Sequence, residues 1–191
     1  MVWSQLVLKR FSKTNWLELG QSLLKAEGPG VLTIERLTEA AGKTRGSFYH
    51  HFQTRDAFLE AMIENWQSKS LTSLAERLNA EETIEGKRSI MRGVSMEWDG
   101  AFERQLRILA AQEPLVARLL AQVDELRIQG LTSMIALLQP DVEDPAAFAF
   151  VQYAAIVGGQ MLLSSGEDPR IPAIRKIGNQ LFGLNEETRS N

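Results

Sequence analysis

Apolar residues in this chain recur at every third or fourth position, the spacing that places side chains on one face of an α-helix. No stretch of useful length alternates between apolar and polar residues, and no internal repeat or low-complexity tract is present. Glycine and proline residues separate the helical stretches. The sequence therefore predicts an all-α fold of about nine helices.

A strong stop separates the first two helices. Thr14 or Asn15 is positioned to cap a helix that runs to about Glu27, where residues 28–30, Gly-Pro-Gly, end it. Thr33 then caps a second helix. The apolar positions of that second helix are Ile34, Leu37, Ala40 and Ala41.

A turn and a short polar helix come next. Gly42 supplies the turn and Thr44 caps a third helix, in which Phe48 and Phe52 face inward. The residues left facing outward are Arg45, Ser47, Tyr49 and His50. A helix, a glycine-containing turn and a short polar helix are the pattern of a helix-turn-helix. We therefore expect residues 44–52 to enter the major groove of double-stranded DNA.

A long fourth helix links this segment to the rest of the chain. Thr54 caps it, and it runs from Arg55 to about Ala80 before three polar residues interrupt the pattern. Its apolar stripe consists of Phe58, Leu59, Met62, Ile63, Trp66, Leu71, Leu74 and Leu78. We predict a DNA-binding domain at residues 1–60, with the linking helix continuing to about 80, and a second helical domain at 81–191.

The second domain has helical spacing throughout. The predicted helices span residues 84–99, 101–112, 114–139 and 145–164, with a last one from Pro172 to a stop at Gly183. Residues 145–166 carry no charge and approach the length of a membrane span. Gln152, Gln160 and a glycine pair within this run favour a helix buried in protein or in a subunit interface instead. We therefore expect no membrane partner.

Charge is distributed unevenly along the 191 residues. The net charge is −3, yet the first sixty residues hold eight basic and six acidic residues, which fits a DNA-binding end on an acidic body. Residues 1–13 are expected to be a solvated arm, with contacts of Lys9, Arg10 and Lys13 to phosphates as the alternative. The chain has no cysteine, which excludes disulfides and thiolate metal sites and fits a cytoplasmic protein.

The sequence offers no convergent catalytic site. His50 and His51 are the only histidines, and neighbouring helical residues point about 100° apart, so they do not converge on one metal ion. Asp141, Glu143 and Asp144 lack the spacing of a calcium loop and fit capping and solubility better. No glycine-rich phosphate loop or nucleophile elbow occurs. We therefore expect neither an enzyme nor a bound cofactor.

The N-terminal pattern resembles that of the TetR family of bacterial transcriptional regulators. The likeness runs from the first helix at Trp16 through residues 33–42 and 44–52 to Leu59. The family's aromatic–x–His–Phe signature stands here as residues 49–52, Tyr-His-His-Phe. The likeness covers about a quarter of the chain, and the order and spacing of its parts are more specific than a lone helix-turn-helix.

Two positions depart from the family pattern. Lys43 stands where the family usually has a small apolar residue, which implies either a different packing of the turn or an extra phosphate contact. Gly20 stands where the family has alanine, and a glycine inside a helix costs roughly 1 kcal/mol relative to alanine. Neither change argues against DNA binding.

The resemblance implies which residues contact DNA. Thr33 and the pair Thr54 and Arg55 would bind phosphates, while Arg45 and Ser47 would contact base edges. The full expected set is Thr33, Lys43, Thr44, Arg45, Gly46, Ser47, Tyr49, His50, Thr54 and Arg55. For the three threonines, helix capping is the plain structural role and DNA contact a second one.

The resemblance also implies that residues 81–191 bind an effector and form a homodimer. Large side chains suited to line a cavity for a small hydrophobic effector are Trp66, Met91, Trp98, Phe102, Arg127, Met134, Phe148 and Tyr153. Each is more readily explained as ordinary core, and Arg127 as part of a surface salt bridge. The helices at about 145–164 and 172–182 are expected to pair with their copies, placing two reading helices about one turn apart on a palindromic operator.

Three functions follow from these expectations. The leading hypothesis is a dimeric repressor that a small-molecule effector releases from its palindromic operator. The alternative is a DNA-binding factor of the same fold with no small-molecule effector, constitutive or protein-controlled, and a cavity too small for a ligand would favour it. A helical enzyme or membrane-associated protein is the third class, and the sequence offers it neither a convergent polar site nor a lipid-facing helix.

Overall fold

The computed structural model describes residues 11–97, 100–163 and 168–183, and this part of the chain contains nine α-helices and no β-strand. The helices are α1 (Lys13–Glu27), α2 (Ile34–Ala41), α3 (Arg45–Tyr49), α4 (Arg55–Ala80), α5 (Ile84–Glu97), α6 (Gly100–Ala110), α7 (Pro114–Leu138), α8 (Pro145–Leu162) and α9 (Ile171–Leu181). A 3₁₀ turn, Pro29–Val31, lies between α1 and α2. The predicted all-α fold is confirmed. Two compact units divide the chain, residues 1–65 and 66–191.

Hydroxyl side chains begin the first three helices. Ser12 caps α1 and forms a reciprocal capping box with Asn15, whose backbone N–H donates to the Ser12 Oγ at 3.1 Å. The expectation that Thr14 or Asn15 would be the cap was wrong, because Asn15 lies at the third position inside the helix and completes the box from there. Thr33 and Thr44 cap α2 and α3 as predicted.

An aromatic cluster forms the core of the first unit. The Phe48 ring packs edge-on against Trp16, with centroids 5.4 Å apart, and its centroid lies 5.5 Å from that of Phe58. All three side chains are completely buried, and Phe52 packs beside them. The prediction that Phe48 and Phe52 face inward is confirmed. Because Phe48 is held on several sides, it fixes the orientation of the short α3 helix.

Some predicted buried faces were wrong. In α2, Thr38 is buried and Ala40 is exposed. Burial of Thr38 is tolerated because its hydroxyl donates a hydrogen bond to the Ile34 carbonyl of the same helix at 2.8 Å. In α4, Leu71 is exposed although Leu74 is half-buried. Because alanine has little side chain to bury, the spacing of apolar residues does not show whether an alanine or a threonine with a hydrogen bond inside the helix faces the core.

Gly20 lies where α1 meets α4, and the packing there explains the glycine. A Cβ atom at this position would lie 2.5 Å from the tip of the Phe58 ring and 3.0 Å from the Met62 sulfur. Gly20→Ala should therefore destabilise the protein by about 1–2 kcal/mol, since overpacking outweighs the gain in helix propensity. Urea unfolding measures this. Gly130→Ala is the matched control, because nothing lies near that Cβ and the variant should be slightly more stable. A stabilised Gly20→Ala would contradict the packing argument.

A polar network is buried in the second unit. Glu103 on α6 accepts hydrogen bonds from Arg127 on α7 at 2.9 Å and from Arg107 at 2.7 Å. Arg107 also pairs with Asp124 at 2.8 Å, and Asp124 accepts the hydroxyl hydrogen of Tyr153 on α8 at 2.5 Å. Two guanidinium groups and two carboxylates thus compensate one another where α6, α7 and α8 pack together.

Burial and pairing shift the pKa values within this network in defined directions. Burial alone would lower the pKa of each arginine, but the carboxylates outweigh it and hold both above the ordinary value. Burial, together with the Asp124 carboxylate, raises the pKa of Tyr153 to about 12. At neutral pH both arginines are therefore charged and Tyr153 is neutral.

The uncharged helix α8 is largely exposed within the single chain. It is long and apolar enough to cross a membrane by length and composition alone, and 17% of that window is buried. Phe150, Val151 and Leu162 are among its exposed residues, the last at 82%. Only Ala149, Gln152 and Tyr153 of α8 are buried within the chain. Of the two surroundings expected for this helix, burial in a subunit interface therefore stays a prediction.

Candidate nucleic-acid interface

The turn before α3 has a fixed backbone. Gly42 adopts the left-handed conformation, with φ 59° and ψ 36°, and its N–H donates to the Glu39 carbonyl at 3.0 Å. The N–H of Lys43 donates to the Thr38 carbonyl, also at 3.0 Å. A glycine is needed here because other residues adopt this conformation only with strain. The helix-turn-helix geometry predicted from the sequence is therefore present.

The short α3 helix presents a polar face opposite its aromatic anchor. Arg45, Gly46 and His50 are exposed, Ser47 is half-buried, and the Tyr49 side chain is 49% exposed. The Tyr49 ring also packs edge-on against Phe48, with centroids 5.8 Å apart. The phenol is therefore held from one side by the core and open to a ligand on the other.

Three threonines stand at exposed helix starts. The Oγ1 atoms of Thr33 and Thr44 each accept a backbone N–H at 3.2 Å, from Arg36 and Ser47 respectively. Thr54 does the same for α4, at 3.0 Å. In this arrangement each threonine oxygen is an acceptor, and its hydroxyl hydrogen remains able to donate to a phosphate oxygen.

Arg55 connects two of these helix starts. Its Nε–H donates to the carbonyl of Leu32, the residue immediately before Thr33, at 2.5 Å. This hydrogen bond joins the first residue of α4 to the segment just before α2. Half-buried Arg55 is therefore bonded to the residue that precedes Thr33, the other residue expected to contact phosphate.

Ion pairs surround this face. The Arg45 guanidinium bonds to the Glu35 carboxylate at 2.5 Å, and both side chains are 63% exposed. Arg36 pairs with Glu27 at 2.6 Å and more loosely with Glu39 at 3.4 Å. The hydrogen bond from Arg36 lowers the pKa of Glu27. Arg45 is therefore oriented before any ligand is present.

The two histidines have separate surroundings. His51 Nε2 lies 3.0 Å from the Phe11 carbonyl, which places the start of the described chain beside the end of α3. His50 is exposed and its ring meets that of His51 edge-on. Within the described ranges, no three His, Asp or Glu side chains gather closely enough to hold a metal ion.

The residues expected to bind an effector fall into separate places. Trp66 and Phe102 pack together with ring centroids 5.3 Å apart, and the Arg127 guanidinium lies 4.8 Å from the Trp66 ring. Tyr153 joins them through Arg127 at 3.3 Å. Arg127 is buried in the polar network, so the surface salt bridge suggested for it was wrong.

Phe148 packs elsewhere, against Phe182, with centroids 5.7 Å apart. Trp98 lies outside the described residues.

Met91 and Met134 border a small cavity within the second unit. Its remaining lining residues are Leu131, Ile135, Leu138, Gln139 and Gln152. The volume is about 10 Å³, roughly the space that one water molecule requires. Gln152 is buried in this mainly apolar wall, and no signal in the sequence marked it as an effector-binding residue.

An exposed polar face on a helix-turn-helix, held on an aromatic core and followed by a larger helical unit, defines a DNA-binding regulator of the all-α class. Residues 17–62 match the family model for bacterial regulatory proteins of the tetR family. The matched stretch, about a quarter of the chain, is therefore similar to the N-terminal part of TetR-family regulators. A search of curated proteins by sequence found no match.

Solved structures share the fold over nearly the whole chain. A Saccharomonospora viridis protein in complex with choline is 14% identical, has a TM-score of 0.76, and the match covers 91% of this chain and 96% of that one. Salmonella enterica GusR is 21% identical with a TM-score of 0.70, over 90% and 94% of the two chains. Reduced E. coli NemR is 18% identical with a TM-score of 0.73, over 89% and 94%. These likenesses show the fold.

Proposed function

We propose that this chain is a cytoplasmic, homodimeric transcriptional repressor that binds a palindromic operator in double-stranded DNA. The observation that carries the proposal is the exposed polar face of α3, whose orientation Phe48 fixes beside the capped starts of α2 and α4. In this proposal, residues 1–60 form the DNA-binding domain, the linking helix α4 continues to about residue 80, and residues 81–191 form the domain that dimerises and binds an effector.

The proposed contacts separate docking from sequence recognition. Thr33, Thr54 and Arg55, which the Leu32 carbonyl brings together, hold phosphates and set the register of the protein. Tyr49, His50 and Lys43 add phosphate contacts around α3. The N-terminal part of α3, with Thr44, Arg45, Gly46 and Ser47, contacts base edges in the major groove.

The proposed dimer interface is the exposed apolar surface of α8 and α9. Large apolar residues exposed there are Phe150, Val151, Met161, Leu162, Ile174, Ile177 and Leu181. An apolar surface of this kind is covered in stable proteins, and pairing α8 and α9 with their copies forms a four-helix interface. The two-fold axis of such a dimer matches a palindromic operator.

Ile177→Glu tests this interface. The variant should raise the dissociation constant of the dimer at least about a hundredfold, because a buried unpaired carboxylate is costly and the two-fold axis places it in the interface twice. Sedimentation velocity over a range of concentrations measures this. Leu137→Glu is the matched control, since Leu137 is 51% exposed on α7 and Ile177 is 55% exposed. Equal dimer affinity in both variants would overturn the proposed interface.

An effector would enter the cavity bordered by Met91 and Met134. Methionine side chains are flexible, so their rotation can enlarge a volume of about 10 Å³ for a small, mainly apolar molecule. The Gln152 amide would supply a hydrogen bond from the buried wall. One protein of this fold holds choline, which supports a small organic effector. In the proposed dimer, the distance between the two α3 helices decides whether both can contact the operator. A ligand that binds more tightly to a dimer in which this distance does not suit the operator would release the DNA.

A DNA-binding factor without a small-molecule effector is the second candidate. The small volume of the cavity favours it, because the space admits no organic molecule without rearrangement. A library of small apolar molecules, screened by thermal shift and then by operator binding, separates the two. A compound that stabilises the wild type but not Leu131→Phe, and that weakens operator binding, supports the effector. Operator binding unaffected by every stabilising compound supports the second candidate.

A further inference from the structure

The ion pair between Arg45 and Glu35 lies on the face proposed to contact DNA. Arg45 is the first residue of α3 and Glu35 the second of α2, so the pair joins the two helices of the helix-turn-helix. The Arg45 Nη2 atom lies 2.5 Å from the Glu35 Oε1 atom, and both side chains are 63% exposed. The pair is therefore accessible to DNA and is not part of the core.

Arginine has enough donors to serve Glu35 and a base together. A guanidinium carries five N–H donors in a planar fork, and Glu35 accepts one of the two N–H groups of Nη2, which leaves a parallel pair of donors free. Recognition of guanine uses two parallel N–H donors toward O6 and N7. Arg45 can therefore keep its bond to Glu35 while it contacts guanine, with its rotation restricted by the carboxylate.

A carboxylate at this place also affects binding to the wrong sequence. Glu35 lies two residues after Thr33, within the first turn of α2, where a phosphate is proposed to bind. When Arg45 has no guanine to contact, the negative charge of Glu35 would still repel a phosphate bound at the proposed site and so weaken binding. The same side chain thus favours the correct sequence and disfavours others.

Building on the proposed function, we propose that Glu35 is a specificity-determining positioning residue that holds the Arg45 guanidinium in the orientation that contacts guanine. Exposed ion pairs contribute little to stability. Substitution of Glu35 therefore leaves the folded dimer intact, and changes in DNA binding report on recognition rather than on unfolding.

The test measures the binding of five proteins to three kinds of duplex DNA. These are the operator found by selection from random DNA, a set of operators that each carry one changed base pair, and unrelated DNA. The proteins are the wild type, Glu35→Ala, Glu35→Gln, Glu39→Ala and Arg45→Ala. Glu39 is the matched control because it lies on α2, is exposed, and pairs with Arg36 instead of Arg45. All measurements are made at one salt concentration, since affinity for DNA depends strongly on salt.

Glu35→Ala should bind unrelated DNA more tightly and lose about fivefold or more of its discrimination at the one base pair where Arg45→Ala also loses it. Glu35→Gln should regain most of that discrimination, because the amide oxygen still accepts the Arg45 N–H. Glu39→Ala should tighten binding to all sequences by one common factor and leave discrimination unchanged.

Three outcomes overturn the inference, and one of them also overturns the proposed base contact of Arg45. If Glu35→Ala matches Glu39→Ala while Arg45→Ala loses discrimination, Arg45 contacts a base and Glu35 does not position it. If Arg45→Ala loses no discrimination at any position, both this inference and the proposed base contact of Arg45 are wrong. Loss of discrimination in Glu35→Ala without rescue by glutamine would also exclude positioning through the hydrogen bond.

Discussion

The combined substitution of Arg45 and Tyr49 by alanine should abolish operator binding while the protein stays folded and dimeric. Arg45 supplies the proposed base contact and Tyr49 a phosphate contact, and both side chains are largely exposed. The affinity should fall about a thousandfold or more, since each good bidentate base contact is worth about 1–3 kcal/mol and a dimer makes it twice. Fluorescence anisotropy with a labelled operator measures the loss.

The controls for this variant separate DNA contact from folding. Arg118→Ala removes an exposed positive charge from α7, and its operator affinity should stay near that of the wild type. Circular dichroism and sedimentation should show a helical dimer for both variants, because Phe48 keeps its contacts with Trp16 and Phe58. Wild-type affinity in the Arg45 and Tyr49 variant would show that α3 does not contact DNA as proposed.

Glu103→Ala should produce the largest loss of stability. Glu103 is 1% exposed and accepts hydrogen bonds from both Arg107 and Arg127. Without it, the buried Arg127 guanidinium loses its carboxylate partner, and breaking a buried ion pair in this way costs about 3–5 kcal/mol. Urea unfolding at one fixed protein concentration measures the change, since the stability of the proposed dimer would depend on concentration.

Two further variants make the cause of this loss testable. Glu125→Ala removes an exposed carboxylate from α7 and should change stability by less than about 0.5 kcal/mol. Replacing Glu103 by leucine and Arg127 by methionine together should recover much of the loss, because no unpaired charge then remains at this contact. A cost below about 1 kcal/mol for Glu103→Ala would contradict the view that this pair is buried and tightly coupled.

The N-terminal elements followed from local sequence signals. Thr33, Gly42 and Thr44 each act through neighbours within a few residues, so their caps and turn are visible in the sequence. The same local logic misplaced the cap of α1. Asn15 and Ser12 are both good capping residues, and only the geometry shows that Ser12 begins the helix while Asn15 completes the box.

The interior of the second unit did not follow from the sequence. The sequence shows that Arg127 lies near the apolar stripe of its helix. It does not show that its partner is Glu103, which is on another helix, 24 residues away in the chain. Such pairs depend on how helices pack, which residue spacing does not encode. The same reason explains Glu35, which is ten residues from Arg45, and Gln152, which is polar by composition yet lies in an apolar wall.

The most direct test is selection from a pool of random double-stranded DNA by the purified protein at two salt concentrations. We expect recovery of a palindrome whose half-sites lie about one helical turn apart, with an affinity that falls steeply as salt rises. Repeating the selection with protein that was unfolded and refolded removes any carried effector. Failure to enrich any sequence at low salt, with the refolded protein shown to be a dimer, would contradict the assignment of α3 as an operator-binding helix.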